Sequence, residues 1–161
     1  MSDVFPAASL WRRLGALIYD YLLAFAVFAL AHFAGFLVLA IINAYQPALS
    51  AGYPDLASFI SDSLLYKLYL LLVVTLFFLW FWTHGGQTLG MRAWRLKIQN
   101  PDGSRLRWRQ AVLRALVGFG GFATLTMLLS PSRRSIQDSL AGTEVVVLSK
   151  EANQLKNWQG L

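Results

Sequence analysis

The first long apolar run of the chain contains an arginine and an aspartate. Arg13 and Asp20 lie in the stretch SLWRRLGALIYDYLLAF, residues 9–25. A carboxylate at bilayer depth either fixes helix packing through ion pairs or hydrogen bonds, or binds a cation or a proton. On a helical wheel both residues fall on a face of small side chains, where membrane helices approach each other closely. Asp20 is therefore expected to point into protein.

Asp20 needs a partner from another part of the chain. Arg13 precedes it by seven residues, about 10.5 Å along a helix, which is too far for a direct bridge within one helix. Arg114, at the entrance of a later apolar segment, has a similar expected depth. It either pairs with Asp20 or extends toward the lipid headgroups.

No other group of residues indicates catalysis. The chain has no cysteine and two histidines. We find no nucleophile with an adjacent base, no paired catalytic carboxylates and no cluster of metal ligands in the sequence. We therefore expect a protein that is not an enzyme, has no catalytic residues and holds no metal or other cofactor.

The elements that position these residues are predicted to be membrane helices. The 161 residues are 57% hydrophobic and 14% charged, whereas an ordinary soluble domain carries about 25% charge. Two apolar runs, about residues 14–42 and 64–82, contain one Asp or Lys each. Both are long enough to cross roughly 30 Å of hydrocarbon. They predict an antiparallel transmembrane helix hairpin.

The basic residues indicate which side of the membrane is cytoplasmic. Loop 43–63 contains two aspartates and no lysine or arginine, whereas six basic residues follow the second run. By the positive-inside rule, this basic segment and the N-terminus are cytoplasmic. Because the positive charge borders apolar runs, we expect anionic lipid headgroups and no nucleic acid as partners. The candidate headgroup contacts are Arg92, Arg95, Lys97, Arg105, Arg107 and Arg109.

A third apolar segment covers about residues 111–130. Its central part, residues 115–129, has 15 residues with three glycines and would be about 22 Å long as a helix. A full span would place the later basic residues outside, whereas a kinked or re-entrant segment keeps them cytoplasmic. We favour the second arrangement, although extension back to residue 111 would make the helix long enough to span.

Between the second and third apolar runs the pattern changes to period two. Apolar and polar residues alternate on both sides of the turn signal NPDG, residues 100–103. This predicts a small cytoplasmic β-hairpin over about residues 93–109. The stretch TEVVVL, residues 143–148, would supply a third strand.

Three separated stretches together resemble the RDD family of small prokaryotic integral membrane proteins, which is named for one arginine and two aspartates. They are RRLGALIYD, GGQTLGMRAWRLKIQNPDGSRLRWRQAVLRAL and QDSLAGTEVV. The resemblance implies that Arg13, Asp20 and Asp138 are these three residues, and that the protein lies in a prokaryotic cytoplasmic (inner) membrane. Some relatives are associated with transport, including sodium/proton exchange. Where the family commonly has a histidine this chain has Gln137, whose amide does not titrate.

Two functions fit these predictions. The first is a transporter, or a transport-associated subunit, for a small cation or solute. It would act as a homo-oligomer because two or three helices enclose too little volume for a pathway. The second is a non-catalytic membrane scaffold, assembly or lipid-associated protein in which Arg13, Asp20 and Asp138 form a structural latch. Asp138 either bridges to Arg13 or caps a short helix that Gly142 ends.

The predicted fold class is an all-α polytopic membrane protein. One domain, residues 1–150, combines the transmembrane hairpin, a third short, kinked or re-entrant apolar helical segment and the small cytoplasmic β-hairpin. A polar C-terminal tail, residues 151–161, follows. Membrane lipids and either further copies of the chain or another membrane protein are the expected partners.

Overall fold

A computed structural model of the chain describes residues 5–130 and 134–154. The end of the predicted polar tail, residues 155–161, lies outside these ranges. The chain forms two compact units. The sheet unit comprises residues 1–23 and 77–161, and the hairpin unit comprises residues 24–76.

Two helices are long and apolar enough to cross a membrane. They are α1, Leu10–Tyr45, with 36 residues, and α3, Leu64–His84, with 21 residues. Both predicted spans are confirmed as helices: α1 extends a few residues beyond both predicted limits, and α3 begins at the predicted residue and ends two residues later than expected. Helix α1 ends shortly before Pro47, because a proline ring disfavours helical geometry in the residue that precedes it. Because α1 and α3 have the length and the apolar composition of membrane spans, the protein is a membrane protein with transmembrane helices.

Small residues allow close packing inside the hairpin unit. The rings of Tyr66 and Tyr69 lie next to Gly35, where any larger side chain would contact them. The Tyr66 hydroxyl donates to the carbonyl oxygen of His32 at 2.9 Å, and that of Tyr69 donates to the carbonyl oxygen of Ala31 at 3.1 Å. A short helix, α2, Leu56–Asp62, precedes α3.

The sheet unit contains a small antiparallel sheet. Strand β1, Leu96–Gln99, follows a short helix, α4, Leu89–Ala93, and pairs with β2, Glu144–Val147. Residues 6–8 pair with β2 along the edge that β1 leaves open, and the amide of Ala8 donates to the carbonyl oxygen of Val145 at 2.9 Å. The sheet thus joins segments from the beginning, middle and end of the sequence.

The prediction of a β-hairpin over residues 93–109 is wrong in its second strand. The turn forms, and the amide of Asn100 donates to the carbonyl oxygen of Ser104 at 2.9 Å. However, helix α5, Trp108–Gly118, begins where that strand was expected. The alternation over residues 105–109 contains only two apolar residues, Leu106 and Trp108, which is too few to distinguish a strand from a loop that leads into a helix. The partner of β1 is instead the valine-rich β2, whose β-branched side chains favour a strand.

The third apolar segment is kinked, as predicted. After α5 the chain continues as a 3-10 segment, Phe119–Leu129, and the two helical parts are bent by 83°. Gly120 and Gly121 have φ angles of 63° and 105°, which glycine adopts without a steric penalty. The Tyr21 hydroxyl donates to the carbonyl oxygen of Gly120 at 2.6 Å. Helix α6, Ile136–Ala141, follows and ends at Gly142.

Candidate functional site

One buried carboxylate lies between two guanidinium groups. Nη1 of Arg13 is 2.5 Å from Oδ2 of Asp138, and Nη1 of Arg114 is 2.6 Å from Oδ1. The Asp138 side chain is 0% exposed, and the two arginine side chains are 6% and 4% exposed. Both ion pairs are thus shielded from solvent.

Three helices bring these side chains together. Arg13 lies in the first turn of α1, Arg114 lies in α5 and Asp138 lies in α6. Asp138 also accepts a hydrogen bond from the backbone amide of Ser135 at 3.2 Å, at the start of α6. Gly142 ends this helix with a left-handed φ of 64°. Two roles were considered as alternatives for Asp138, a bridge to Arg13 and a cap of a short helix. Both occur together, because Asp138 contacts Arg13 and also binds the amide of Ser135 at the start of α6.

Thr143 connects this cluster to the sheet. Its hydroxyl accepts a hydrogen bond from Nη1 of Arg114 at 2.5 Å, and its carbonyl oxygen accepts one from Nη2 of Arg134 at 3.3 Å. Thr143 directly precedes β2 and is 0% exposed. Arg133, a further positive charge near Asp138 in the sequence, lies outside the described residues.

The electrostatic environment keeps Asp138 ionised. Burial by itself would raise the pKa of its carboxyl group, but the positive charges of Arg114 and Arg13 and their hydrogen bonds outweigh this effect. The pKa of Asp138 is therefore held below its ordinary value. The carboxylate remains an acceptor for both arginines at neutral pH.

Asp20 occupies a second buried position. Its Oδ2 accepts a hydrogen bond from the hydroxyl of Thr88 at 2.7 Å, and its Oδ1 accepts one from the amide of Gly90 at 3.1 Å. The Thr88 hydroxyl in turn accepts from the amide of Met91 at 3.0 Å and caps α4. Asp20 thereby connects α1 to the start of α4.

Gly90 is required by this arrangement. A Cβ atom at this position would overlap the carboxylate of Asp20 and would lie 2.7 Å from the carbonyl oxygen of Ala16. The backbone of α4 can approach α1 this closely because Gly90 has no side chain.

Neither role considered for Arg114, pairing with Asp20 or extension toward the lipid headgroups, is found, because its side chain is buried against Asp138. Arg114 binds Asp138 and Thr143, whereas the hydrogen bonds of Asp20 come from Thr88 and Gly90. Within residues 5–130 and 134–154, no three His, Asp or Glu side chains come together as metal ligands.

A comparison with protein families gives a single clear result. The sequence profile of the RDD family matches residues 7–142, most of the chain. The chain belongs to the RDD family. The matched range contains Arg13, Asp20 and Asp138, and in this RDD protein Arg13 contacts Asp138. Searches of curated proteins and of solved structures found no significant match.

The six candidate headgroup residues of the RDD protein differ in exposure. Arg105, Arg107 and Arg109 are exposed, and Arg92 and Arg95 are half-buried. Lys97 is 3% exposed, so its assignment to a lipid contact is wrong: β1 is buried on both faces, and its polar residues form no exposed row. Burial, followed by the charge of Arg105, lowers the pKa of Lys97.

Sequence reasoning missed the neutral partners of the charged residues. Thr88 lies three positions before Met91 in GGQTLGM, a spacing typical of a threonine that caps a helix. Thr143 had no comparable signal, because its role depends on the contact between α5 and the segment before β2.

Proposed function

We propose that this RDD protein is a non-catalytic membrane scaffold or assembly module. Of the latch expected from the sequence, Arg13 and Asp138 are in contact, whereas Asp20 binds Thr88 and Gly90 at a separate position. From here on, the latch denotes Arg13, Arg114, Asp138 and Thr143, and it is the central feature of the proposal. The observation that supports this function best is the fully buried carboxylate of Asp138 between two arginines from different helices. The latch holds the start of α1 against α5 and α6.

The energetics of buried ion pairs favour this role. Removing one partner of such a pair typically costs about 3 to 5 kcal/mol, because the other charge remains buried and unpaired. The latch therefore opposes any rearrangement that would separate Arg13 from Asp138. A second copy of the chain or another membrane protein would bind to a surface whose geometry the latch keeps fixed.

We further propose that the N-terminus, the sheet and the latch lie on the cytoplasmic side of a prokaryotic cytoplasmic membrane. Segments before α1, after α3 and after α6 share one sheet, which supports a position for all three on the same side. Helices α1 and α3 account for two crossings between the first and second segments. The third apolar segment then enters and leaves the membrane on that side as a re-entrant element.

Transport of a small cation or solute is the second candidate function. Asp20 supports it, because this buried carboxylate accepts hydrogen bonds from two neutral donors, Thr88 and Gly90. Its negative charge would attract a cation that reached the site. In this alternative the chain acts as a homo-oligomer, since two or three membrane helices enclose too little volume for a pathway.

Flux measurements separate the two functions. The native protein, Asp20→Asn and the exposed control Asp102→Asn are reconstituted in proteoliposomes, and uptake of radioactive sodium and of protons is measured. The scaffold function predicts no flux above that of empty liposomes. Flux in the native protein and in Asp102→Asn that disappears in a folded Asp20→Asn variant would favour transport and contradict the scaffold.

A further inference from the structure

The chain that follows β2 folds back onto α4. The side-chain oxygen of Asn153 accepts a hydrogen bond from Nε2 of Gln87 at 3.0 Å, and its Nδ2 donates to the carbonyl oxygen of Arg92 at 3.1 Å. In return, Nη2 of Arg92 donates to the carbonyl oxygen of Asn153 at 3.1 Å. A turn positions Asn153, since its amide donates to the carbonyl oxygen of Ser149 at 3.1 Å. We call residues 149–154 the strap.

The two ends of α4 are held by different parts of the chain. At its start, Thr88 and Gly90 bind Asp20 of α1. At its end, the strap binds the carbonyl oxygen of Arg92, and the strap also binds Gln87, the residue directly before Thr88. Helix α4 has five residues, and a helix this short is not stable without such contacts. The position of the two donors to Asp20 therefore depends on the strap as well.

Hydrogen bonds, and not apolar packing, hold the strap in place. Four of its six residues are exposed, and Ala152 is its one apolar residue. The preceding strand, β2, buries Val145 and Val146. A segment with few buried apolar contacts opens at a lower free energy than a buried strand does. The strap can therefore separate from α4 while the sheet stays folded.

We propose that the strap controls the contact between Asp20 and α4. In the closed state, Asn153 fixes the residues on both sides of the two donors to Asp20. In the open state, α4 is held less firmly and the carboxylate loses its donors more often. A partner that binds residues 149–154 only in the open state would shift the protein toward that state. This proposal goes beyond the scaffold function and does not depend on transport.

Hydrogen exchange in the native protein tests whether the strap opens by itself. The exchange of single amides is measured by mass spectrometry on the full-length protein in nanodiscs. The amide of Val147 donates to the carbonyl oxygen of Pro6 within the sheet at 2.9 Å. Relative to their intrinsic rates, the amide of Asn153 is expected to exchange at least about tenfold faster than that of Val147, because local opening requires less free energy than unfolding of the sheet. Equal relative rates would overturn the proposal.

The variant Asn153→Ala tests the connection to Asp20, because it removes both side-chain hydrogen bonds of the strap. The amides of Gly90 and Met91 belong to the hydrogen bonds around Asp20. They are expected to exchange about tenfold faster in this variant, the effect of about one net hydrogen bond. The effect is limited because Met91 also packs in the apolar core of the sheet unit.

A neighbouring residue and a distant amide serve as controls for this variant. Gln154→Ala, at an exposed position of the strap, should leave the exchange of Gly90 and Met91 unchanged. The amide of Asn100, which donates within the turn after β1, should exchange at the native rate in Asn153→Ala. If Gly90 and Met91 also keep their native rates in Asn153→Ala, or if Asn100 accelerates as much as they do, the proposal is wrong.

The reverse experiment tests the coupling from the side of Asp20. Coupling between two sites is reciprocal. Thr88→Val, which removes a donor to Asp20, is therefore expected to increase the exchange rate of the Asn153 amide severalfold. The exposed variant Asp102→Asn should leave that rate unchanged. A native rate for Asn153 in Thr88→Val would show that the strap and the Asp20 contact are independent, which contradicts the proposal.

Discussion

Arg13 and Asp138 are in direct contact although 125 residues separate them in the sequence. Their contact joins the first turn of a transmembrane helix to a short helix near the other end of the chain. Arg114 completes the arrangement from the other oxygen of the carboxylate. Arg13 and Asp138 are two of the three residues that the family resemblance identified, and in this protein they share one structural role.

Asp138→Asn should strongly destabilise the protein. The amide keeps the shape of the side chain but leaves two buried guanidinium groups without a negative charge. The expected loss is about 3 to 5 kcal/mol in the free energy of unfolding. Unfolding in mixed micelles with an increasing fraction of dodecyl sulfate measures it.

The matched control for this change is Asp102→Asn. Asp102 is exposed in the turn after β1 and accepts from the amide of Ser104. Surface changes of this kind usually stay within about 0.5 kcal/mol. If the two variants show similar losses in the free energy of unfolding, the buried ion pairs of Asp138 stabilise the fold no more than an exposed turn residue does, which would contradict the prediction.

Thr88→Val should destabilise the contact between α1 and α4. Valine has the shape of threonine but cannot donate to Asp20 or cap α4 through the amide of Met91. A loss of about 1 to 3 kcal/mol is expected from the unsatisfied buried carboxylate and the missing cap. The same micelle titration measures it, and Thr88→Ser, which keeps the hydroxyl, should lose less. A loss in Thr88→Ser that exceeds the loss in Thr88→Val would show that packing of the methyl group contributes more than the hydroxyl and would contradict this account.

The latch should lose stability at acidic pH. The pKa of Asp138 is lower in the folded protein than its ordinary value of 3.8, so the unfolded chain binds a proton more readily. The ionised carboxylate of Asp138 therefore stabilises the folded protein. This contribution to the free energy of unfolding is fully present above about pH 5 and is lost as the pH falls through 3.8 toward the pKa of the folded state. Thermal unfolding from pH 7 to pH 3 should show a steeper acid decline in the native protein than in Asp138→Asn. Parallel profiles would contradict this assignment.

The proposed re-entrant position of the third apolar segment has a topological consequence. The chain contains no cysteine, so single cysteines can report the side of the membrane. Asp102→Cys and Lys150→Cys should react with a membrane-impermeant maleimide from the same side, and Tyr53→Cys should react from the other side. All three positions are exposed. Labelling of residues 102 and 150 from opposite sides would mean that the third apolar segment crosses the membrane.

The transmembrane helices could be predicted because their signal is local. About 20 consecutive apolar residues specify a span regardless of what surrounds them. The kink was predictable for the same reason, since Gly120 and Gly121 interrupt a short apolar segment. The strand predicted over residues 143–148 is confirmed by β2. Its direct pairing with β1, in place of residues 105–109, could not be predicted, because that choice depends on contacts that are distant in sequence.

The candidate site was only partly accessible to sequence reasoning. The buried charges of Arg13 and Asp20 stand out in an apolar run, and the family resemblance added Asp138. The partner of each charge was harder to predict. Asp20 accepts a hydrogen bond from the backbone amide of Gly90, and almost every residue type has such an amide. Lys97 illustrates the opposite error, because a lysine in an alternating segment indicates an exposed row only if one face of the strand is free.

The most direct test of the latch is a double-mutant cycle between Arg13 and Asp138. The free energy of unfolding is measured for the native protein, Arg13→Gln, Asp138→Asn and the double variant. A contact of this kind predicts a coupling energy of about 1 to 3 kcal/mol, so that the second change costs much less once the first is made. A parallel cycle with Asp20→Asn in place of Asp138→Asn should be additive within about 0.5 kcal/mol. Additive losses for Arg13 and Asp138 would contradict the latch.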